Sequence, residues 1–152
     1  MTPEFFESGT SVDEYLRDQR TYRSVVQALV RDADADDADA AALAGALAGF
    51  PGPANATVFT ESWCGDSACN LPIVRSLFAK AGVPFRVFDR ASHPGLNDWY
   101  RGRDVTHIPV VSLWSADGTE IARWVEAPKA IEPRKAAWKA EHPRMIRARS
   151  LI

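Results

Sequence analysis

The stretch from Thr57 to Pro72 limits what this chain can fold into more than any other part of it. A short apolar run ends at Phe59 and leads into Trp63 and Cys64. The residues that follow repeat at the three-and-four spacing of one helical face: Leu71, Val74, Leu77 and Phe78. The sequence therefore predicts a strand that turns into a helix close to Cys64. Because the first turn of a helix has unpaired N–H groups and the positive end of the macrodipole, it favours the thiolate of a cysteine there.

Four segments after residue 54 have the apolar pattern of strands: residues 55–60, 83–88, 110–114 and 121–125. Helical patterns lie between them and again from Ala127 onward, before a basic tail, which gives the order β-α-β-α-β-β-α. The helix between the first two strands implies a parallel pair, whereas Asp117-Gly118 predicts a hairpin and an antiparallel pair. We therefore predict an α/β fold with a mixed central sheet.

The first 50 residues predict a helical extension that lies outside this sheet. A Ser-x-x-Glu capping box at Ser11 begins a helix whose apolar spacing continues to Val30. The acid-rich connector at 32–39 lacks the glycine and the final glutamate of a calcium-binding loop. We interpret it as a solvated linker that supplies the N-cap of a second, alanine-rich helix. The predicted organisation is an extension at 1–50 and a domain at 51–152.

Composition and charge argue against several classes of function. A net charge of −2 gives no reason to expect a nucleic-acid partner. The uncharged stretch 40–60 is mostly Ala and Gly and contains Pro51 and Pro53, so no membrane span is predicted. The N-terminus lacks the basic and apolar regions of a signal peptide, and we expect a cytoplasmic location. In that reducing compartment a pair of cysteines is more typical of a reactive or metal-binding site than of a structural disulfide.

Four features resemble the thioredoxin family in kind and in spacing: Trp63-Cys64-Gly65, Pro72, Ile108-Pro109 and the hairpin turn Asp117-Gly118. The resemblance covers residues 57–127 and implies a thioredoxin-like three-layer fold. It also implies a cis bond before Pro109, in a loop that faces Cys64. Because the matching family cysteine attacks disulfides, the expected partners are a protein disulfide or a low-molecular-weight thiol such as glutathione. The residues expected to shape the substrate groove are Trp63, Gly65, Asp66, His107, Ile108 and Pro109.

The sequence departs from the family in its dithiol and in two neighbouring positions. Ser67 stands where thioredoxins have the resolving cysteine, and the second cysteine is Cys69, five residues after Cys64. In an ideal helix, Cα atoms five positions apart lie about 8.6 Å from each other, and a disulfide needs them within roughly 7 Å. Val58 stands where the family has a buried aspartate, and Asp66 stands where it has a proline. The family's dithiol mechanism therefore cannot simply be transferred to this chain.

Three chemistries remain open for the candidate catalytic residues Cys64, Ser67 and Cys69. In the first, Cys64 works alone and an external thiol such as glutathione resolves the mixed disulfide. In the second, Cys69 resolves it after the first helical turn unwinds. In the third, Cys64 is a redox sensor that is oxidised to sulfenic acid. Zinc would lack a fourth ligand beside Cys64, Cys69 and His107, so no metal and no other cofactor is expected.

Two expectations concern exposure, one concerns the charge of His107, and one concerns a different class of function. We expect the Cys64 sulfur to lie in solvent opposite Pro109, and Cys69 to be a small buried hydrophobic residue. An imidazolium at His107 would favour the thiolate of Cys64. The second hypothesis, motivated by Ser67 and Val58, is a catalytically silent thioredoxin-fold module that binds a protein partner.

Overall fold

A five-stranded mixed sheet forms the centre of the computed structural model, which describes residues 1–126 and 132–141. The strand order is β1-β3-β2-β4-β5. β2 and β3 are parallel, and the pairs β1–β3, β2–β4 and β4–β5 are antiparallel. The strands are β1 (Thr10–Ser11), β2 (Asn55–Thr60), β3 (Phe85–Asp89), β4 (Val110–Trp114) and β5 (Glu120–Val125). This arrangement confirms the predicted α/β fold with a mixed sheet.

Helices precede, connect and follow the strands, and after residue 54 they do so in the predicted order. They are α1 (Pro3–Glu7), α2 (Val12–Asp18), α3 (Arg23–Asp32), α4 (Asp37–Leu47), α5 (Gly65–Lys80), α6 (Pro94–Arg101) and α7 (Glu132–Glu141). The Asp117-Gly118 hairpin joins β4 to β5, and Gly118 adopts the left-handed φ of 83° that the turn requires. The start of the predicted C-terminal helix at Ala127 and the basic tail lie outside the described residues. Within the described ranges, no helix is long and apolar enough to cross a membrane.

The alternation of side chains along β2 and β3 separates two cores, one on each face of the sheet. Ala56, Val58 and Val87 pack into a cluster with Leu71 and other buried residues of α5. Phe59 and Phe88 point to the opposite face, where they pack against residues of α6 such as Tyr100 and Leu96. Because successive strand residues face opposite sides of the sheet, each apolar strand packs against the helices on both sides. This is the predicted three-layer fold.

The N-terminal 50 residues contribute to the sheet and to its core, which corrects the expectation that they lie outside the sheet. Thr10 and Ser11 form the edge strand β1, antiparallel to β3. The main core also contains apolar residues from α2, α3 and α4: Val12, Leu16, Val26 and Leu47. The acidic connector supplies Asp36 as the N-cap of α4, as predicted. The division of the chain at residue 50 stays a prediction about domain organisation.

The single helix predicted from Ser11 to Val30 is wrong, because the chain forms α2 and α3 with a corner between them. Tyr22, the N-cap of α3, has a left-handed φ of 59° that ends helical continuity. Five consecutive polar residues, 17–21, interrupt the apolar pattern, so no buried face holds a continuous helix there. The corner lets Leu16 and Val26 reach the same core from two directions.

Candidate functional site

Cys64 is the N-cap of α5, at the point where the β2 strand has ended and the helix begins. Its backbone N–H donates to the carbonyl of Glu61 (3.0 Å), and its carbonyl accepts from the N–H of Ala68 (3.1 Å). The helix could start only after Cys64, because φ −74° and ψ 113° are an extended conformation. The predicted strand–cysteine–helix turn is therefore present, and the thiol lies at the positive end of a 16-residue helix.

The loop before β4 faces this thiol. The peptide bond between Ile108 and Pro109 is cis. The Sγ of Cys64 lies 3.6 Å from the carbonyl oxygen of Ile108, within the range of a weak S–H donor. Tertiary folding thus brings together two sequence motifs that are 44 residues apart.

The expectation that the Cys64 sulfur lies in solvent is wrong, because only 6% of the Cys64 surface is exposed. The aromatic ring of Tyr22 lies against the turn at Cys64 and Gly65, since a Cβ built on Gly65 would be 3.5 Å from the Tyr22 hydroxyl oxygen. Trp63, the neighbour of Cys64, is 59% exposed. The thiol is therefore on the floor of a groove, and Trp63 forms part of its rim.

This groove has a volume of about 1620 Å³ and contains most of the predicted site residues. The predicted residues that line it are Trp63, Cys64, Gly65, Asp66, Cys69, His107 and Ile108. Pro109 and Ser67 are fully buried and do not line the groove. His107 is exposed, and its Nδ1 lies 3.2 Å from the hydroxyl oxygen of Thr106. Asp66 lies in the first turn of α5, where a carboxylate stabilises the helix.

Ser67 has a structural partner. It is 1% exposed, and its hydroxyl forms a hydrogen bond with the buried hydroxyl of Thr60 on β2. The bond joins the first turn of α5 to the central strand. A catalytic role for Ser67 stays a prediction, and its hydroxyl is directed away from the groove into the core.

Cys69 is exposed, which corrects the expectation of a buried hydrophobic residue. Ala68, Leu71 and Pro72 form the buried face of the first turns of α5. Cys69 lies outside this face, so its side chain points toward solvent. Both cysteines are free, and both line the groove. Two thiols thus share one surface, with one turn of regular helix between them.

Two carboxylates, Glu61 and Asp89, interact with each other where β2 and β3 end. Burial, and then the carboxylate of Asp89, raises the pKa of Glu61, while the guanidinium of Arg90 partly offsets this. Burial, and then Asp89, raises the pKa of Tyr15, with smaller contributions from Cys64 and Glu61. The Tyr15 hydroxyl is buried and has no hydrogen-bond partner among the described residues. Tyr15 is thus the ionisable group in this set that interacts with Cys64, whereas Val58, at the family's aspartate position, is fully buried and apolar.

Five residues that line the groove were not predicted from the sequence: Tyr22, Val25, Ala68, Arg90 and Thr106. Arg90 directly follows β3, and the carboxyl ends of the parallel strands β2 and β3 meet at one edge of the sheet. The strand order could therefore have predicted that Arg90 lies near Cys64. Thr106 could have been predicted as well, because it precedes His107 in the same loop. No local pattern indicated Tyr22 or Val25, because their place depends on how the α2–α3 corner packs. Among the described residues, no cluster of His, Cys, Asp or Glu is arranged to hold a metal ion.

Two solved structures share the fold of this chain over most of its length. PA1234 from Pseudomonas aeruginosa, described as a protein of unknown function, is 19% identical with a TM-score of 0.67, over 92% of this chain and 88% of that chain. An HIV epitope scaffold is 16% identical with a TM-score of 0.64, over 86% of this chain and 81% of that one. A thioredoxin from Fasciola hepatica is 23% identical with a TM-score of 0.45, over 63% and 89%. No curated protein matches the chain.

A family model described as Thioredoxin matches residues 9–139. The match includes β1 and the α2–α3 corner as well as the Cys64 turn and the Pro109 loop. The chain belongs to the thioredoxin family.

Proposed function

We propose that this protein is a thiol–disulfide redox protein in which Cys64 is the nucleophile and an external thiol such as glutathione resolves the reaction. One observation carries the proposal: the Cys64 sulfur lies at the N-terminus of α5 and 3.6 Å from the Ile108 carbonyl of the cis-proline loop. The helix terminus favours the thiolate, and the thiolate is the species that attacks a disulfide. Membership of the thioredoxin family supports a thiol redox role in general.

The reaction consists of two exchanges that balance without a cofactor. The Cys64 thiolate attacks one sulfur of the substrate disulfide, forms a mixed disulfide with it and releases the other half as a thiolate. A glutathione thiolate then attacks Cys64, which releases the second half reduced and leaves Cys64 joined to glutathione. A second glutathione restores the Cys64 thiolate and leaves as glutathione disulfide. The substrate disulfide gains two electrons, and two glutathione thiols supply them.

The position of Cys69 favours an external resolving thiol. Cys69 lies within regular helix, and Cα atoms five positions apart on a helix are separated by about 8.6 Å, beyond the roughly 7 Å that a disulfide tolerates. Ser67, one turn after Cys64, has no thiol and is bonded to Thr60. Resolution by Cys69 is the alternative route, because Cys69 is exposed on the same groove. The proposal places the protein in the reducing cytoplasm, where its partners are protein disulfides or low-molecular-weight thiols.

The experiment compares matched Cys64→Ser and Cys69→Ser variants in a glutathione-coupled disulfide reduction assay. We expect Cys64→Ser to fall to the uncatalysed rate and Cys69→Ser to retain the activity of the parent protein. Intact mass spectrometry of Cys69→Ser with glutathione disulfide should show one glutathione on Cys64. Loss of activity in Cys69→Ser would transfer the resolving step to Cys69 and refute the external route.

The second candidate function, a catalytically silent binding module, is favoured by the burial of Cys64. In this function the groove binds a segment of a partner protein and no sulfur chemistry occurs. The same assay separates the two functions. Disulfide reduction by the parent protein no faster than by Cys64→Ser would establish the silent module and overturn the redox proposal.

A further inference from the structure

We propose that residues 19–25, which comprise the connection from α2 to α3 and the first three residues of α3, form a specificity wall. This wall reserves Cys64 for low-molecular-weight disulfides such as glutathione disulfide and excludes disulfides held in folded proteins. We refer to these residues as the α2–α3 corner. The inference deepens the proposed function and rests on it in one respect, that Cys64 is the reacting thiol. It concerns the access to that thiol and not its chemistry.

The corner is fixed to the active-site turn. Gln19 is 5% exposed, and its Nε2 donates to the carbonyl of Ser62 at 2.6 Å, two residues before Cys64. Leu16 before the corner and Val26 after it are both buried in the main core. A buried side-chain amide bonded to a backbone carbonyl holds its segment in place, because the loss of either partner would leave a buried polar group unpaired. The corner is thus a fixed part of the groove.

Tyr22 is held where it covers the turn. It adopts a left-handed φ of 59°, which is unfavourable for a residue other than glycine and persists only where the surrounding structure imposes it. Its hydroxyl and ring lie at van der Waals distance from a Cβ position on Gly65, next to Cys64. Tyr22 and Val25 are 39% and 42% exposed, and both line the groove. The side chains of Tyr22 and Val25 therefore line the groove, with Tyr22 beside the turn that holds Cys64.

The exposure of the turn shows where the wall acts. Trp63 remains 59% exposed while Cys64, one residue further, is 6% exposed. The groove itself is open, so a small disulfide can enter it and reach the sulfur. A disulfide in a folded protein brings with it the surface around it, and that surface meets Tyr22 and Val25 before the sulfur. The wall therefore discriminates by the size of what surrounds the disulfide.

The test compares the size dependence of Cys64 alkylation in variants of the full chain. All variants carry Cys69→Ser, so that Cys64 is the single thiol. N-ethylmaleimide and a polyethylene-glycol maleimide share one reactive group and differ in bulk. Tyr22→Asn removes the ring and keeps a residue that tolerates the left-handed conformation. Tyr22→Phe keeps the ring, and Phe50→Ala removes an aromatic residue of similar exposure (44%) that does not line the groove.

We expect N-ethylmaleimide to react many times faster than the large maleimide in the parent, in Tyr22→Phe and in Phe50→Ala. Tyr22→Asn should narrow this ratio several-fold, with its circular dichroism spectrum unchanged. In disulfide reduction, Tyr22→Asn should raise kcat/KM for the disulfides of insulin relative to glutathione disulfide. Equal alkylation rates in the parent, or an unchanged ratio in a folded Tyr22→Asn, would overturn the wall. A size-dependent ratio in a protein that reduces no disulfide would instead retain the wall and reject the proposed function.

Discussion

Val26→Ala tests whether the N-terminal 50 residues fold as one unit with the sheet. Val26 is 1% exposed and packs in the main core, on the face of α3 that contacts α5. The substitution removes the equivalent of two buried methylene groups, at about 0.8 kcal/mol each, and leaves a small cavity. We therefore expect the free energy of unfolding to fall by roughly 2–3 kcal/mol. At a urea m value of about 2 kcal/mol/M, the midpoint should fall by about 1 M or more.

Val25→Ala is the matched control, because it makes the same change one residue earlier on the same helix. Val25 is 42% exposed, so its truncation should change the free energy of unfolding by no more than about 0.5 kcal/mol. Urea denaturation followed by tryptophan fluorescence measures both variants. A loss below about 0.5 kcal/mol in Val26→Ala, or a separate early transition in the parent protein, would refute the conclusion that this region shares the cooperative core.

Two further predictions concern the site. Ser67→Cys in the Cys69→Ser background should form a disulfide to Cys64 under mild oxidation, because Cα atoms three positions apart on a helix lie about 5 Å from each other. Intact mass spectrometry without reductant detects this disulfide. Two alkylatable thiols after oxidation would contradict the prediction. Because burial and Asp89 raise the pKa of Glu61 in the folded protein, ionisation of Glu61 opposes folding. Glu61→Gln should therefore gain stability over the parent as pH rises from the ordinary glutamate range through the raised pKa, and a difference that urea denaturation finds constant with pH would count against this.

The elements that the sequence predicted well are those that short-range patterns define. The order of strands and helices after residue 54 followed from apolar periodicity and from the Asp117-Gly118 turn, and α5 begins at Gly65, close to Cys64 as predicted. Cys64 was placed at a helix N-terminus because a strand pattern ends and a helical pattern begins on either side of it. These signals extend over a few residues, so the chain displays them before it folds.

The errors concern contacts between distant segments. The edge strand β1 is two residues long and becomes a strand only because β3 is available beside it. The apolar spacing resumes after Arg20 and Thr21, so it predicted one long helix. Periodicity along the sequence carries no information on whether the chain changes direction between two helices. The exposure of Cys69 depends on which face of α5 the sheet covers.

The sequence by itself determined the fold class and the position of Cys64 at the start of a helix, because helix, strand and turn preferences are local properties of the backbone. The loop that faces Cys64 was implied by the resemblance to the thioredoxin family. Only the tertiary structure decided how far that thiol is covered and by what. Tyr22 and Cys64 are 42 positions apart, and no pattern along the chain encodes the packing of one against the turn of the other. That packing follows from burying Leu16 and Val26 in a common core.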